Sequence, residues 1–393
     1  MRRVVVTGLG AVSPFGPGVK AYWDGVRSGI CAIRPVTLIE VVGFRCRIAA
    51  EVPEPMPGSA RRSRADRLAL QAAREAVDDA GLGPGERGQA GLIVGAVGGG
   101  MLEVEPWYWR LGQAGAGIRP PRAALRAILP SSHADVVGHA LGLGGPRETL
   151  VTACSSGAAS IAVAAELIMD GVTPVALAGG ADALTRICYM GFNALKLLDP
   201  EPCRPFDRER RGMSIGEGAA FLVLEDADHA RARGASAYAE LAGHGMTSDA
   251  FHVTSPDPDG EGMVRAMRAA LAGAGLQPRA VGYCNAHGTG TLQNDRIEAR
   301  ALREVFGEGG LLMSSTKSMI GHTMAAAGTL EALATVLALR DDTVPPTATL
   351  RTPDPDVPFD CVPGQSRDAA LECAISNSFG FGGQNVTLLF RRA

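Results

Sequence analysis

Hydrophobic positions along the chain alternate between short β-branched runs and longer apolar-striped stretches. The short runs predict strands over 3–7, 90–97, 150–153, 174–179 and 216–225, then over 238–243, 282–286, 311–315, 371–376 and 385–390. Helical spacing predicts helices over 22–29, 61–80, 160–169, 262–274 and 323–340. The last of these carries Leu330, Leu333, Ala334 and Leu337 on one stripe. Each half of the chain therefore repeats strand and helix in the same rhythm and closes on a strand pair. That alternation implies α/β layers, and its recurrence implies two duplicated halves although residue identity between them is weak. Gly8-Leu-Gly10 after the first strand reads as a plain turn. A dinucleotide loop would need a third glycine where Ser13 stands, and Pro14 follows at once.

Composition narrows the class. With 46% hydrophobic residues, 20% charged residues and 51 glycines in 393, the chain is a packed, loop-rich globular protein. A net charge of −3 gives no whole-protein attraction to nucleic acid or to a membrane surface. Eight cysteines without a CxxC pair and seven dispersed histidines show neither zinc-ligand spacing nor a disulfide framework, so no metal or cofactor is expected. Met1-Arg-Arg before Val4–Val6 could open a signal peptide, but Gly8, Gly10, Pro14 and Gly16 break the apolar run. No run is long enough to cross a membrane, and a cytoplasmic protein is expected.

Three stretches place reactive side chains in tight turns at strand ends: Cys154; Asn285-Ala-His287-Gly-Thr-Gly-Thr291; and Ser315-Thr-Lys317-Ser-Met-Ile-Gly-His322. Cys154 stands between a buried strand and an Ala-rich helix, where free N–H groups and the helix dipole favour a thiolate. A lone buried cysteine is more often core filler, and a lone histidine more often structural. Two histidines and a lysine in matching turns favour chemistry. A thiolate, backbone N–H donors and imidazole N–H donors together suit thioester exchange followed by stabilisation of an enolate. One histidine with Asn or Asp would instead suit a protease. Arg61-Arg-Ser-Arg-Ala-Asp-Arg67 reads first as a solvated helix face, and Trp107-Tyr-Trp109 as local packing or a pocket rim.

Thr152-Ala-Cys-Ser-Ser-Gly157, the Asn285–Thr291 turn, Gly321-His322 and Asn377-Ser-Phe-Gly-Phe-Gly-Gly383 together resemble the β-ketoacyl-acyl carrier protein synthases of the elongating Cys-His-His class. The resemblance implies a thiolase-like fold, five layers αβαβα built from two duplicated halves, here 1–236 with the nucleophile and 237–393 with the histidines. It implies that Cys154 takes the acyl group, with its own N–H and that of Phe381 as oxyanion hole. His287 and His322 would hold the malonyl thioester and promote decarboxylation. Lys317, paired with Glu331, would order the site. Phe381, flanked by Gly380, Gly382 and Gly383, would be a gate, met by the mobile loop 248–256. Phe192 would line the pocket, and Thr289, Thr291 and Asp295 would support it. Acidic carrier proteins give the basic residues Arg61, Arg62, Arg64, Arg67, Lys196 and Arg204 a reading as a docking patch.

The implied partners are an acyl carrier protein and a second subunit. That subunit is either another copy or a chain-length-factor-like chain. Leu292-Gln-Asn after Thr291, Cys154-Ser-Ser and the run Gly321–Gly328 depart from housekeeping members toward a polyketide- or polyene-like pathway. A non-catalytic chain-length partner would lack Cys154. A degradative thiolase would need a second Cys in a Cys-x-Gly setting, which neither Cys361 nor Cys373 has.

Overall fold

The computed structural model describes residues 2–54, 62–114 and 122–393. In the first half lie strands β1 (Val4–Ser13), β2 (Gly91–Gly95), β3 (Arg147–Leu150), β4 (Val175–Asp182) and β5 (Gly218–Asp226). Helices α1 (Arg64–Asp79), α2 (Met101–Ala114), α3 (Ser132–Leu141), α4 (Ser156–Met169) and α5 (Arg186–Ala194) are interleaved with them. The second half has β6 (Ala239–Ser248), α6 (Glu261–Ala274), β7 (Tyr283–Asn285), α7 (Leu292–Phe306) and β8 (Leu312–Ser314). It ends with α8 (Ala327–Asp341), β9 (Cys373–Gly380) and β10 (Gln384–Arg392).

Hydrogen bonding orders these strands β8-β7-β9-β10-β6-β1-β5-β4-β2-β3. Each half contributes five strands in the order third, second, fourth, fifth, first. In each, two parallel pairings are followed by two antiparallel ones. The halves join where β1 and β6 run antiparallel, with Val4 opposite Leu241 and Val6 opposite Ala239.

Alternation along the strands sorts side chains into layers. Ala176, Ala178, Leu222 and Leu224 face a central core that includes α4 and α8, which also packs on Ala374, Leu388 and Phe390 of the second half. The neighbouring residues Val175, Leu177, Phe221 and Val223 face outward onto α1 and α3. Cys284, Met313, Ile375 and Leu389 face α6 and α7. The result is the five-layer αβαβα sandwich of the thiolase-like fold. Its middle layer explains α8: residues 327–339 are buried on every side, so the apolar stripe of the sequence is only part of a fully enclosed helix.

Gly8 and Gly10 do not make a turn. They lie inside β1 because α1 crosses it closely: a Cβ on Gly8 would stand 2.3 Å from the Ala76 carbonyl oxygen, and one on Gly10 2.0 Å from that of Ala72. Gly243 and Gly245 of β6 meet Ala270 and Ala266 of α6 in the same way, at 2.2 and 2.1 Å. Trp107, Tyr108 and Trp109 fall on α2, a helix absent from the sequence expectation. Tyr108 and Trp109 are exposed, and the Arg186 guanidinium lies 5.0 Å from the Trp109 ring centre. They rim a surface groove whose lining shares no residue with the cavity at Cys154.

Candidate active site

Cys154, His287, Lys317 and Phe381 each stand just beyond the C-terminal end of a strand, where an α/β sheet presents its loops, while Phe192, Asp295 and Glu331 reach the site from helices. After β3, residues Ala153–Ser155 form a 3₁₀ turn that runs into α4. Ala153 is left-handed, with φ 50. The serines hold this strained turn. Ser155 Oγ donates to the Thr152 carbonyl at 2.8 Å, and Ser156 Oγ donates to that of Ala153 at 2.7 Å. Ser156 thus begins the helix itself, one residue after the Cys turn. The small residues of α4 let the second half close in: a Cβ on Gly157 would lie 2.4 Å from the Ala325 carbonyl oxygen. That approach carries His322 to Cys154.

His287 follows β7, and two carboxylates of α7 hold its loop from below. Glu298 accepts the N–H groups of His287 and Gly288, both at 2.8 Å. Asp295 accepts those of Phe206, Thr289 and Gly290. Thr289 and Thr291 join their hydroxyls at 2.9 Å. Sequence reasoning named Asp295 but missed Glu298. The signal was present, since Asp295-x-x-Glu298 puts two carboxylates on one helix face under a Gly-rich turn.

Lys317 follows β8 and is buried. Its ammonium donates to Glu331, to the His287 carbonyl at 2.7 Å and to His287 Nδ1 at 3.3 Å. His322 Nδ1 accepts the Met324 N–H at 3.1 Å. In both imidazoles Nδ1 is therefore the acceptor, which leaves the proton on Nε2. His322 Nε2 is buried without a partner, and the two rings meet edge-on with centres 5.5 Å apart. Cys154 Sγ and a nitrogen of each ring lie within 4.8 Å of one another. On distance alone these three could ligate a cation, but the neighbouring Lys317 ammonium opposes one.

Burial lowers the pKa of both histidines well below the usual imidazole value, helped by the Lys317 charge and, for His287, by His322. Both are neutral at pH 7. Burial also pushes the Cys154 thiol up to about 11, against the N–H of Phe381, the Lys317 charge and its own N–H. The expectation of a helix field that keeps a free thiolate is thus corrected: desolvation outweighs it, and the resting group is a thiol. Burial raises Glu331 to about 7, with Lys317 pulling the other way.

Phe381 sits in the β9–β10 turn, 5.7 Å from Phe192 between ring centres. Gly382 donates to the Val253 carbonyl at 3.0 Å, and Asp249 donates to that of Gly383 at 2.9 Å, so the 248–256 loop is tied to this turn. A cavity of about 230 Å³ runs past Phe381 to Cys154, His287, His322, Thr289 and Thr291. Lys196 and Arg211 stand at its lining as exposed cations, and Arg211 pairs with Asp199 and Glu201.

The basic patch is smaller than the sequence suggests. Arg64 is buried and bound bidentately to Glu217, with Glu54 as a further partner. Arg204 is also buried, its guanidinium donating to the Glu209 carbonyl. Neither can form a docking surface. Arg62 and Arg67 are half-buried, Lys196 is exposed, and Arg61 lies outside the described residues.

A thiol facing two backbone N–H donors, with two imidazole N–H groups opposite, defines an acyl-transfer site. Family models agree: "Beta-ketoacyl synthase, N-terminal domain" matches residues 1–230, and "Beta-ketoacyl synthase, C-terminal domain" matches residues 238–351. A 3-oxoacyl-[acyl-carrier-protein] synthase 2 from Synechocystis sp. is 39% identical, covering 100% of this chain and 98% of the relative. Nodulation protein E from a Rhizobium species is 42% identical over 100% of this chain and 99% of its own. Among solved structures, the ishigamide ketosynthase/chain length factor aligns with TM-score 0.95 at 36% identity, over 100% of this chain and 99% of that one. A type II ketosynthase solved with its acyl-carrier protein and a hexaketide aligns at 0.93 and 33% identity, over 100% and 99%. The chain belongs to the β-ketoacyl synthase family. It is an acyltransferase of the condensing class, and among the described residues no helix is long and apolar enough to cross a membrane.

Proposed function

We propose that the chain joins an acyl group to a malonyl unit by decarboxylative Claisen condensation, both delivered as thioesters of an acyl carrier protein. The observation that carries this reading is the meeting of Cys154 Sγ, lined by the N–H groups of Phe381 and Cys154, with two Nε2–H donors. Sγ attacks the acyl thioester while the oxyanion rests on the two backbone N–H groups. The thiol proton leaves with the carrier thiolate, so the exchange balances without an external base. The malonyl thioester carbonyl then sits on His287 and His322. Carbon dioxide departs, the enolate oxygen keeps those two donors, and its carbon attacks the acyl-Cys154 carbonyl. The cysteine thiolate leaves and is reprotonated.

Phe381 and Phe192 close the acyl side, and swinging Phe381 on its glycine flanks would open it. Lys196 at the mouth is the described cation best placed to meet an acidic carrier. The boundary near residue 236 separates the nucleophile-bearing half from the histidine-bearing half, and we read the enzyme as cytoplasmic. The chain-length-factor complexes among its solved relatives favour a paired subunit here too, either a second copy or a chain-length-factor-like chain, in a specialised pathway. The test is the purified chain with acyl and malonyl carrier proteins, read by intact mass. Wild type should gain one acyl group, and Cys154→Ala none. Acylation of the Ala variant elsewhere overturns the assignment. Condensation that needs an added subunit would select the heterodimer.

A further inference from the structure

We propose that Asp182 is a positioning residue for His322, holding the backbone beyond it in the one conformation that fixes the imidazole tautomer. Asp182 ends β4 and is fully buried. Its Oδ2 accepts the Ala325 N–H at 2.8 Å, and its Oδ1 accepts the Gly98 N–H at 2.7 Å. One residue before Ala325, Met324 is left-handed, with φ 55. A residue with a Cβ stays there only when its surroundings leave no alternative. They do so here. The Ala325 carbonyl oxygen is wedged against Gly157 and Gly180, where added Cβ atoms would come within 2.4 and 2.2 Å, and its N–H is clamped by Asp182.

The consequence reaches the site through one hydrogen bond. Left-handed Met324 aims its N–H at His322 Nδ1, at 3.1 Å, which keeps the imidazole proton on Nε2. Without the carboxylate, Ala325 N–H loses its partner and Met324 can relax toward the right-handed region. The Met324 N–H then turns from Nδ1, the ring proton can move there, and a lone pair would face the thioester where a donor is needed. The Cys154 turn packs against this segment but is held by its own serines, Ser155 on the Thr152 carbonyl and Ser156 on that of Ala153, so it is disturbed less. Asp182 therefore bears on decarboxylation far more than on acyl transfer.

The inference rests on the reading of His322 as an enolate donor, and the experiment separates the two. Acylation of Cys154 is followed by intact mass, and carbon dioxide release from malonyl carrier protein by isotope, both with the full chain. His322→Ala comes first and should lose carbon dioxide release while still acylating; otherwise the His322 reading itself fails. Asp182→Asn should acylate within about twofold of wild type but release carbon dioxide about tenfold or more slowly, since one oxyanion donor is worth roughly 10²–10³-fold. Adding Met324→Gly should recover much of that loss, because glycine is left-handed at no cost. Parallel loss of both half-reactions, no loss in either, or failure of the rescue overturns the proposal. If Asp182→Asn does not fold, Asp182→Glu is put through the same comparison. Failure of both to fold would make Asp182 scaffold alone.

Discussion

Lys317→Met tests the electrostatic design of the site at its centre. The ammonium is buried and holds three acceptors: Glu331, the His287 carbonyl and His287 Nδ1. Two separable losses follow from its removal. The first is stability. Breaking a buried ion pair costs about 3–5 kcal/mol when the partner stays charged. Burial already raises Glu331 to about 7, however, and removing Lys317 removes the main opposing influence. Glu331 can then take a proton near neutral pH, so the cost should fall at or below the lower end of that range.

The second loss is catalytic. A hydrogen bond to a charged group is worth about 1.5–3 kcal/mol, which corresponds to about 10- to 150-fold in rate at 1.36 kcal/mol per decade. That factor should appear in carbon dioxide release from malonyl carrier protein, because His287 loses the donor that keeps its proton on Nε2. Acylation should slow less, through loss of the positive charge that eases ionisation of Cys154. Adding Glu331→Gln should return thermal stability but not decarboxylation, since His287 Nδ1 still lacks its donor. A single variant that decarboxylates at the wild-type rate, or a double variant that recovers both properties together, would refute the reasoning.

Five further outcomes follow. Gly380→Ala would place a Cβ 2.8 Å from the Thr152 carbonyl oxygen and 3.3 Å from Cys154 N, displacing the Phe381 N–H. Acyl-enzyme formation should fall about 10²-fold, with carbon dioxide release changed far less, as rapid-quench assays of each half-reaction would show. Alkylation of Cys154 by iodoacetamide should climb tenfold per pH step toward about 11, and a plateau near pH 7 would contradict the buried thiol. Stability also falls with pH, through the histidines: their folded pKa lies below the unfolded value of about 6.5, so the unfolded state binds more protons and the melting temperature should drop as pH falls below that value. Arg64→Ala strands buried Glu217 and should cost about 3–5 kcal/mol in denaturant melts, whereas Lys196→Glu should leave the melt alone and weaken carrier binding in a salt-dependent manner.

The sequence makes legible what local rules control. Most strand ends can be read because β-branched runs stop at Gly- and Thr-rich turns, but the strand before Cys154 is Arg147–Leu150, part-exposed, and not the buried run expected over 150–153. What it hides is set by distant packing. Gly8 and Gly10 look like a turn because glycine signals one locally, yet they answer to Ala72 and Ala76, more than sixty residues away. Arg64 shares a charged heptapeptide with Arg62 and Arg67, and nothing in that pattern marks it as the partner of Glu217, 153 residues on. The stripe on α8 reads as one-sided because its Ala and Thr positions count as neutral, while strands of both halves enclose them.

The thiol is where local reasoning misleads most usefully. A cysteine at a helix start suggests a standing thiolate. Here the backbone of Met324 and the ammonium of Lys317 occupy both Nδ1 atoms, so both rings turn a proton toward the cavity. A ring that presents Nε2–H has no lone pair facing Sγ and cannot deprotonate it. In the proposed condensation the histidines are thereby confined to donating, and Cys154 would part with its proton to the carrier thiolate that leaves as it is acylated. A site so arranged holds no standing charge on its nucleophile before substrate arrives, which protects a buried thiol from idle oxidation and alkylation. The oxyanion donors are preorganised for both steps, and only the acyl thioester supplies the charge they are built to hold.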